Sequence, residues 1–307
     1  MSVVASVDIG TNSTRLLIAD IDGSGRDAKL VTLDRRTQIT RLGQDVHRDR
    51  VLRPDAIDRT LAVLRDYRRA IDAHGVERVR ASATSASRDA SNRDDFFDPV
   101  EEILGVSPEL LSGEDEARLE FLGATAARTE PGPYLVVDIG GGSTEFTFGT
   151  DGVTELCSVD IGCVRLTEMY LHGDPPAPEE LSQAVSVVRD HLADVDRIVP
   201  GAARASLLVG TAGTIWTLGA IELGVDASRS DLIDGFHLTR AAAEDVFRTL
   251  ATEPIEQRRH NPGLEPGRVD VIVGGALVAV TVMRHWGFNE LVVSEADILD
   301  GLARNIG

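Results

Sequence analysis

The chain has 307 residues, 42% of them hydrophobic and 26% charged, an ordinary soluble composition with room for two domains of about 100–200 residues each. Its formal net charge of −19 argues against broad binding to nucleic acid or an anionic membrane, which want a positive field, and the uncharged stretch 271–283 is too short to span a bilayer. Lys29 is the only lysine and Cys157 and Cys163 the only cysteines, which excludes a P-loop, a Schiff-base lysine, a disulfide framework and a cysteine zinc site.

In chain order, apolar runs predict a strand at 3–7, a returning strand at 15–18 and a third over 29–38. Ile57, Leu61, Leu64 and Ile71 have helical spacing over 55–73, closed by His74 and Gly75. A strand at 76–83, a polar turn at 84–88, a helix near 93–104, a short strand at 109–111 and a helix through Leu119 and Leu122 complete an α/β unit. The Pro/Gly-rich connector 128–133 marks a boundary. Domains are therefore expected at 1–128 and 129–307, with the last helix able to pack back on the first. The second half repeats the plan, with strands at 134–138, 144–148 and 153–159, a helix over 178–195 and a strand at 205–209. A glycine-rich turn at 210–214 opens a helix through Leu218. Helices at 240–250 and 269–286, a strand at 291–293 and a helix from 296 follow. The N-terminus has no basic flank ahead of an apolar segment, so the expected location is the cytoplasm. The two cysteines read as small buried hydrophobes, and the seven histidines show no paired metal spacing.

One phrase occurs twice, as Asp8-Ile9-Gly10-Thr11-Asn12-Ser13-Thr14 and Asp138-Ile139-Gly140-Gly141-Gly142-Ser143-Thr144, identical at five of seven positions. Each copy reads as strand, tight turn and returning strand. Such a turn aims backbone N–H groups and hydroxyls at one point, which suits an anion, and the aspartate at its lip can hold a metal ion. Either copy alone reads as an ordinary hairpin; the repeat in matched context points to duplicated architecture. Two such turns facing each other would grip a phosphate from both sides. Glu145 follows the second turn where Arg15 follows the first, a difference in charge that would suit a metal side and a phosphate side.

Ser112-Gly113-Glu114-Asp115-Glu116-Ala117-Arg118 sets three acids in a first helical turn. Acids there ordinarily complement the helix dipole, but one of these could deprotonate a water attacking phosphorus. Arg88, after a strand end, could pair bidentately with a terminal phosphate or form a surface salt bridge. Gly213 and Thr214, in the turn 210–214, offer N–H groups at a helix N-terminus. The segment 35–53 holds six arginines and could form a track for a long anion, whereas Arg65, Arg68 and Arg69 read as a solvated face.

Taken in order, Asp8 to Ser13, Thr84 to Ala90, Ser112 to Arg118, Asp138 to Glu145, Gly210 to Thr214 and Ser294 to Leu302 resemble the motifs of the exopolyphosphatase and guanosine pentaphosphate phosphohydrolase (Ppx/GppA) family, over essentially the whole chain. The resemblance implies an α/β chain of two ribonuclease-H-like domains, the fold of actin, sugar kinases and acetate kinase, with the site in the interdomain cleft. It implies Mg²⁺-dependent hydrolysis of the terminal phosphate of inorganic polyphosphate, and in some members of pppGpp. By the same resemblance Glu116 is the catalytic glutamate and Arg88 a phosphate-binding arginine. The resemblance also places metal at Asp138 and Glu145, while the reading of the turns adds Asn12, Ser13, Gly140, Gly141, Gly142, Ser143, Gly213 and Thr214 as phosphate-binding candidates and Asp8, at the first lip, as a further metal candidate. Glu114 and Asp115 depart from the usual family residues, which leaves Glu114 open as the base. Longer members add a helical C-terminal region, so a chain of this length is expected to prefer shorter polyphosphate or a nucleotide. A homodimer stays open, as do a kinase or ATPase of the same superfold and a non-catalytic sensor of polyphosphate or pppGpp.

Overall fold

A computed structural model describes residues 2–306. It divides into two compact units, Met1–Arg128 with Ala296–Gly307, and Thr129–Glu295. The residues from Ala296 on thus belong with the first unit.

The first unit is built on a sheet of five strands, β1 (Ser2–Ile9), β2 (Ser13–Asp22), β3 (Lys29–Ile39), β4 (Arg78–Ala83) and β5 (Glu109–Leu110), in the order β3-β2-β1-β4-β5. Short links force β1, β2 and β3 to be antiparallel, whereas the return to β4 crosses over through the helix Pro54–Ala73, so β4 lies parallel to β1. That helix opens on a proline in its first turn and buries Leu61, Leu64, Tyr67 and Ile71. The Tyr67 hydroxyl donates to the Thr14 carbonyl at 2.8 Å, pinning the helix behind the first hairpin.

The second unit repeats the order with one strand added. Its strands are β6 (Tyr134–Ile139), β7 (Thr144–Gly149), β8 (Val153–Val159), β9 (Leu207–Thr211), β10 (His237–Thr239) and β11 (Glu290–Val293), arranged β10-β11-β9-β6-β7-β8. β6 to β8 are antiparallel, β9 and β11 continue parallel to β6, and β10 caps the edge antiparallel to β11. Both halves thus have the duplicated ribonuclease-H-like plan. The helix Ile272–Trp286, buried continuously from Ile272 to Met283, is the central core helix of this unit. Among the described residues no helix is long and apolar enough to cross a membrane.

Several segments differ from the sequence reading. The polar stretch after β4 is the helix Ser85–Asp89, not a turn. Helices Val46–Asp49, Cys163–Tyr170, Ser230–Ile233 and Ile255–Arg258 and strand β10 are additional; most are too short to show a period. The core helix starts at Ile272 after a 3₁₀ turn, Pro266–Arg268. The last helix, Ile298–Arg304, starts later than expected because Asp297 caps it, accepting the Leu299 N–H at 2.9 Å while Asp300 accepts the Asp297 N–H at 3.0 Å.

This last helix packs Leu299 and Ala303 against Val4, Leu17 and Ile21, and Ile298 and Leu302 against Leu111 and Leu119. It crosses the helix Gly113–Ala126 at close range: a methyl group on Gly123 would overlap the Asp297 carbonyl, and one on Gly301 the Leu119 carbonyl. Replacing glycine by alanine within a helix gains about 1 kcal/mol of propensity, less than such an overlap costs. We expect Gly123→Ala to lower the thermal unfolding midpoint by at least about 3 °C; an unchanged or raised midpoint in calorimetry would show that the helices can separate freely.

Candidate active site

The two repeated turns have the same internal geometry. Gly10 N–H donates to the Ser13 carbonyl at 3.0 Å and Gly140 N–H to the Ser143 carbonyl at 3.1 Å. The Gly140 N–H is therefore used in closing its own turn and is not offered to a ligand. What the turns do offer follows from their carbonyls. In the first, the Thr11 carbonyl accepts from Gly43 N–H at 2.8 Å, and the Asn12 carbonyl from Thr40 and Arg41 at 3.0 and 2.9 Å. In the second, the Gly140 carbonyl accepts from Cys163 N–H at 2.9 Å, that of Gly141 from Val164 and Arg165 at 2.9 and 3.1 Å, and that of Gly142 from Arg165 Nε at 2.8 Å. In a planar trans peptide each carbonyl points opposite to the next N–H. The N–H groups of Asn12 and Ser13, and those of Gly141, Gly142 and Ser143, consequently point away from the supporting segments as small anion nests. Neither the Gly141 nor the Gly142 N–H has an acceptor among the described residues.

The support needs glycine on both sides. A methyl on Gly43 would overlap the Thr11 side chain, and one on Gly162 the Gly141 peptide. These two residues follow β3 and β8 at matching places, and the sequence reading passed over both. At the first tip Asn12 is 5% exposed, with neither side-chain amide atom hydrogen-bonded among the described residues. An unpaired buried amide costs about 1–3 kcal/mol, so this one is suited to a polar ligand or water.

The charge at the two lips differs. Asp8 lies directly across from Arg15 on β2, and Asp138 directly across from Glu145 on β7, which places each pair's Cβ atoms within about 4.5–5.5 Å on one face. Arg15 donates to Asp8 Oδ2 from Nη2 at 2.7 Å and from Nε at 3.2 Å, and Ser82 Oγ donates to Asp8 Oδ1 at 3.1 Å. Both Asp8 oxygens are thus engaged, and a guanidinium stands where a metal ion would. Asp138 and Glu145 are 4% and 1% exposed, and Ser158 Oγ donates to Glu145 Oε1 at 2.7 Å. Two buried carboxylates side by side favour a cation or a shared proton. No group of three or more His, Cys, Asp or Glu is placed to hold a metal among the described residues. The donor set at Asp138 and Glu145 fits a hard ion such as Mg²⁺, which takes one or two carboxylates and completes its shell with water and phosphate oxygens.

Arg88 lies in the short helix after β4. Its Nη1 donates to the Leu111 carbonyl and to Glu116 Oε2, each at 2.8 Å, while Nε and Nη2 make no hydrogen bond among the described residues. The helix of Glu116 starts at Gly113, capped by Ser112 Oγ accepting the Asp115 N–H at 3.1 Å. The acid trio separates by burial. Glu114 and Asp115 are exposed and pair with Arg118 at 3.4 Å, whereas Glu116 is 8% exposed and held by Arg88.

Gly213 and Thr214 have a neighbour that sequence spacing did not show. Ala212 adopts φ 63° and starts the helix Ala212–Leu223, and a methyl on Gly213 would overlap the Arg268 guanidinium. Arg268 is 6% exposed; its Nε donates to Glu265 at 2.6 Å, and neither Nη has a partner among the described residues. The positive helix terminus thus stands beside a buried guanidinium. Thr214 is buried. Of the arginines in 35–53, Arg35 pairs with Asp297 and Asp300, Arg36 with Asp34, Arg48 with Asp45 and Asp49, Arg50 with Asp89 and Arg53 with Asp45 and Asp55. That stretch is charge-compensated, so it is no open basic track.

Both cysteines are buried beside the second turn. Burial and the Glu145 charge push the Cys157 thiol up to about 12, and burial raises Cys163 as well. At pH 8 a thiol at that value is about 10⁻⁴ thiolate. We expect an aromatic disulfide reagent to titrate no thiol in the native protein and both after unfolding in guanidinium; rapid labelling of the native protein would contradict this burial.

Residues 17–303 match the family described as Ppx/GppA phosphatase. The chain is 42% identical to Exopolyphosphatase 2 of Mycobacterium tuberculosis, over 99% of this chain and 98% of the relative. The crystal structure of the Aquifex aeolicus Ppx/GppA family member is similar with a TM-score of 0.82 and 34% identity, covering 99% of this chain and 96% of that one. A crystal structure of an exopolyphosphatase from Cytophaga hutchinsonii gives 0.89 and 25% identity, covering 98% and 96%. With matched turns, an Arg-held glutamate and these relatives, the chain belongs to the Ppx/GppA phosphatase family.

Proposed function

We propose that this protein is an exopolyphosphatase, releasing orthophosphate from the end of inorganic polyphosphate by attack of water. The observation that carries this reading is the Arg88–Glu116 pair: a buried carboxylate bound by one nitrogen of a guanidinium whose other two donors are unused. The M. tuberculosis relative, named for this activity, supports it.

The terminal phosphate is an anion for which the chain offers two kinds of donor. Backbone N–H groups at Asn12–Ser13 and Gly141–Ser143 are fixed by the segments behind them, so they need no reorganisation to receive charge. The Arg88 fork, Nε and Nη2, matches two phosphate oxygens. Glu116 accepts the proton of the attacking water as the new oxygen–phosphorus bond forms. The bridging anhydride oxygen leaves with the shortened chain. The Nη1 bond to Oε2 holds the carboxylate in place for this transfer. Asp138 and Glu145 are the residues to hold Mg²⁺, whose chemistry when bound is to offset charge on the phosphoryl oxygens. Glu114, exposed and paired with Arg118, is the weaker candidate base.

The same donors suit pppGpp, whose reactive end is also a phosphoanhydride. Comparing phosphate release from short polyphosphate, long polyphosphate and pppGpp on one preparation ranks the substrates; release from none of them would overturn the reading in favour of a sensor. The free, buried thiols support a reducing, cytoplasmic setting.

We expect Glu116→Gln to cut turnover on short polyphosphate by at least about a hundredfold while calorimetric binding changes little; near-normal turnover would remove Glu116 from the reaction. Glu145→Gln should raise the Mg²⁺ concentration for half-maximal activity by about tenfold or more, and an unchanged Mg²⁺ titration would place the ion elsewhere.

A further inference from the structure

We propose that Asp297 is a positioning residue for the first phosphate turn, acting through Arg15 and Asp8; this rests on the phosphohydrolase reading above. Asp297 caps the last helix and its side chain is 8% exposed. Its Oδ2 accepts from Arg15 Nη1, and its Oδ1 from Leu299 N–H at 2.9 Å and Arg35 Nη1 at 3.4 Å. Arg15 turns Nε and Nη2 onto Asp8, and Asp8 also accepts from Ser82 on β4. An unbroken line of charge-assisted bonds runs from the closing segment to the lip of the turn Gly10–Ser13. A planar guanidinium held on both sides by carboxylates has its orientation fixed.

The same segment reaches the helix of Glu116. Ile298 N–H donates to Glu120 Oε2 at 2.8 Å, one helical turn beyond Glu116, and the Asp297 carbonyl packs on Gly123. Asp297 therefore stands where the support of the first turn meets the support of the proposed base. In the second hairpin Glu145 takes the place of Arg15 and accepts from Ser158 on the neighbouring strand β8. The two halves of the duplication thus carry different anchors. Without the Asp297 charge, Arg15 and Arg35 share fewer buried carboxylates, and a guanidinium left short of a partner re-pairs. Asp8 is the group that Arg15 then pulls with it.

The test compares Asp297→Asn with Arg304→Gln. Arg304 lies on the same helix, donates from Nη1 to the Ala28 carbonyl at 2.7 Å, and makes no hydrogen bond to Arg15 or Asp8. It reports the effect of merely loosening that helix. For Asp297→Asn we expect amide hydrogen exchange at Gly10, whose N–H closes the turn, to speed up by about tenfold or more, and KM for short polyphosphate and the inhibition constant of orthophosphate to rise together by about tenfold, with kcat changed less than about threefold. Arg304→Gln should lower the unfolding midpoint and leave those readings within about twofold of the parent. Exchange and KM unchanged in Asp297→Asn, or shifted equally in Arg304→Gln, would overturn the assignment. If Asp297→Asn does not fold, Arg15→Gln breaks the same line and must show the same exchange and KM shifts. A parent protein that releases no phosphate would sink the phosphohydrolase reading, and the exchange measurement would still decide the role of Asp297.

Discussion

A buried charge must meet an opposite one, and this chain meets that constraint in two ways at equivalent places. Asp8 and Asp138 occupy the same position in a duplicated hairpin, each directly opposed across the strand pair. The first is answered from within the chain by Arg15, whose guanidinium closes on it at 2.7 Å. The second faces another carboxylate, Glu145. Isolated ionised carboxylates are costly in a low-dielectric interior, and the two hairpins meet that cost with different neighbours: a guanidinium at Asp8, and at Asp138 a second carboxylate that accepts from Ser158. The asymmetry gives the two lips opposite charge beside the aspartate.

Around each lip the backbone supplies the outward-facing donors. The carbonyls of both turns are drawn back by the segments at 40–43 and 163–165, and peptide planarity then fixes the forward direction of the N–H groups. Gly43 and Gly162 let those segments approach closely enough. Donors held in this way are positioned before any ligand arrives, which is the condition for electrostatic catalysis without reorganisation. The Arg88–Glu116 pair joins a short helix to a capped one. Both are tied to the same sheet, through β4 and through the closing segment.

The hairpins, the alternation of strands and helices and the Glu116 cluster were legible because each is local in sequence and strongly patterned. The turn phrases repeat almost letter for letter, and Leu61, Leu64 and Ile71 declare their helix through spacing. What was not legible depended on contacts between distant segments. Nothing near Gly213 announces that Arg268 will lie against it, and nothing near Asp8 announces that Arg15 will also reach Asp297. The helix Ser85–Asp89 read as a turn because Ser85, Ser87 and Asp89 favour caps and turns in isolation; burial of Ser85, Ala86 and Ser87 overrides that preference. The arginines of 35–53 looked like a track because sequence shows their charge and hides their partners. Which of the three adjacent acids is buried was likewise hidden from the sequence.

The central claim is that the Asp138–Glu145 pair recruits a cation beside the amides of Gly141–Ser143, whereas Asp8 is already neutralised. Crystals soaked with Mn²⁺ and inorganic phosphate, measured at the manganese absorption edge, test it most directly. The account requires an anomalous peak within about 2.0–2.6 Å of a carboxylate oxygen of Asp138 or Glu145, with a phosphate oxygen in hydrogen-bond range of those amides and the Arg15–Asp8 contact intact. A peak on Asp8 with Arg15 displaced, or phosphate bound with no metal near Glu145, would contradict it.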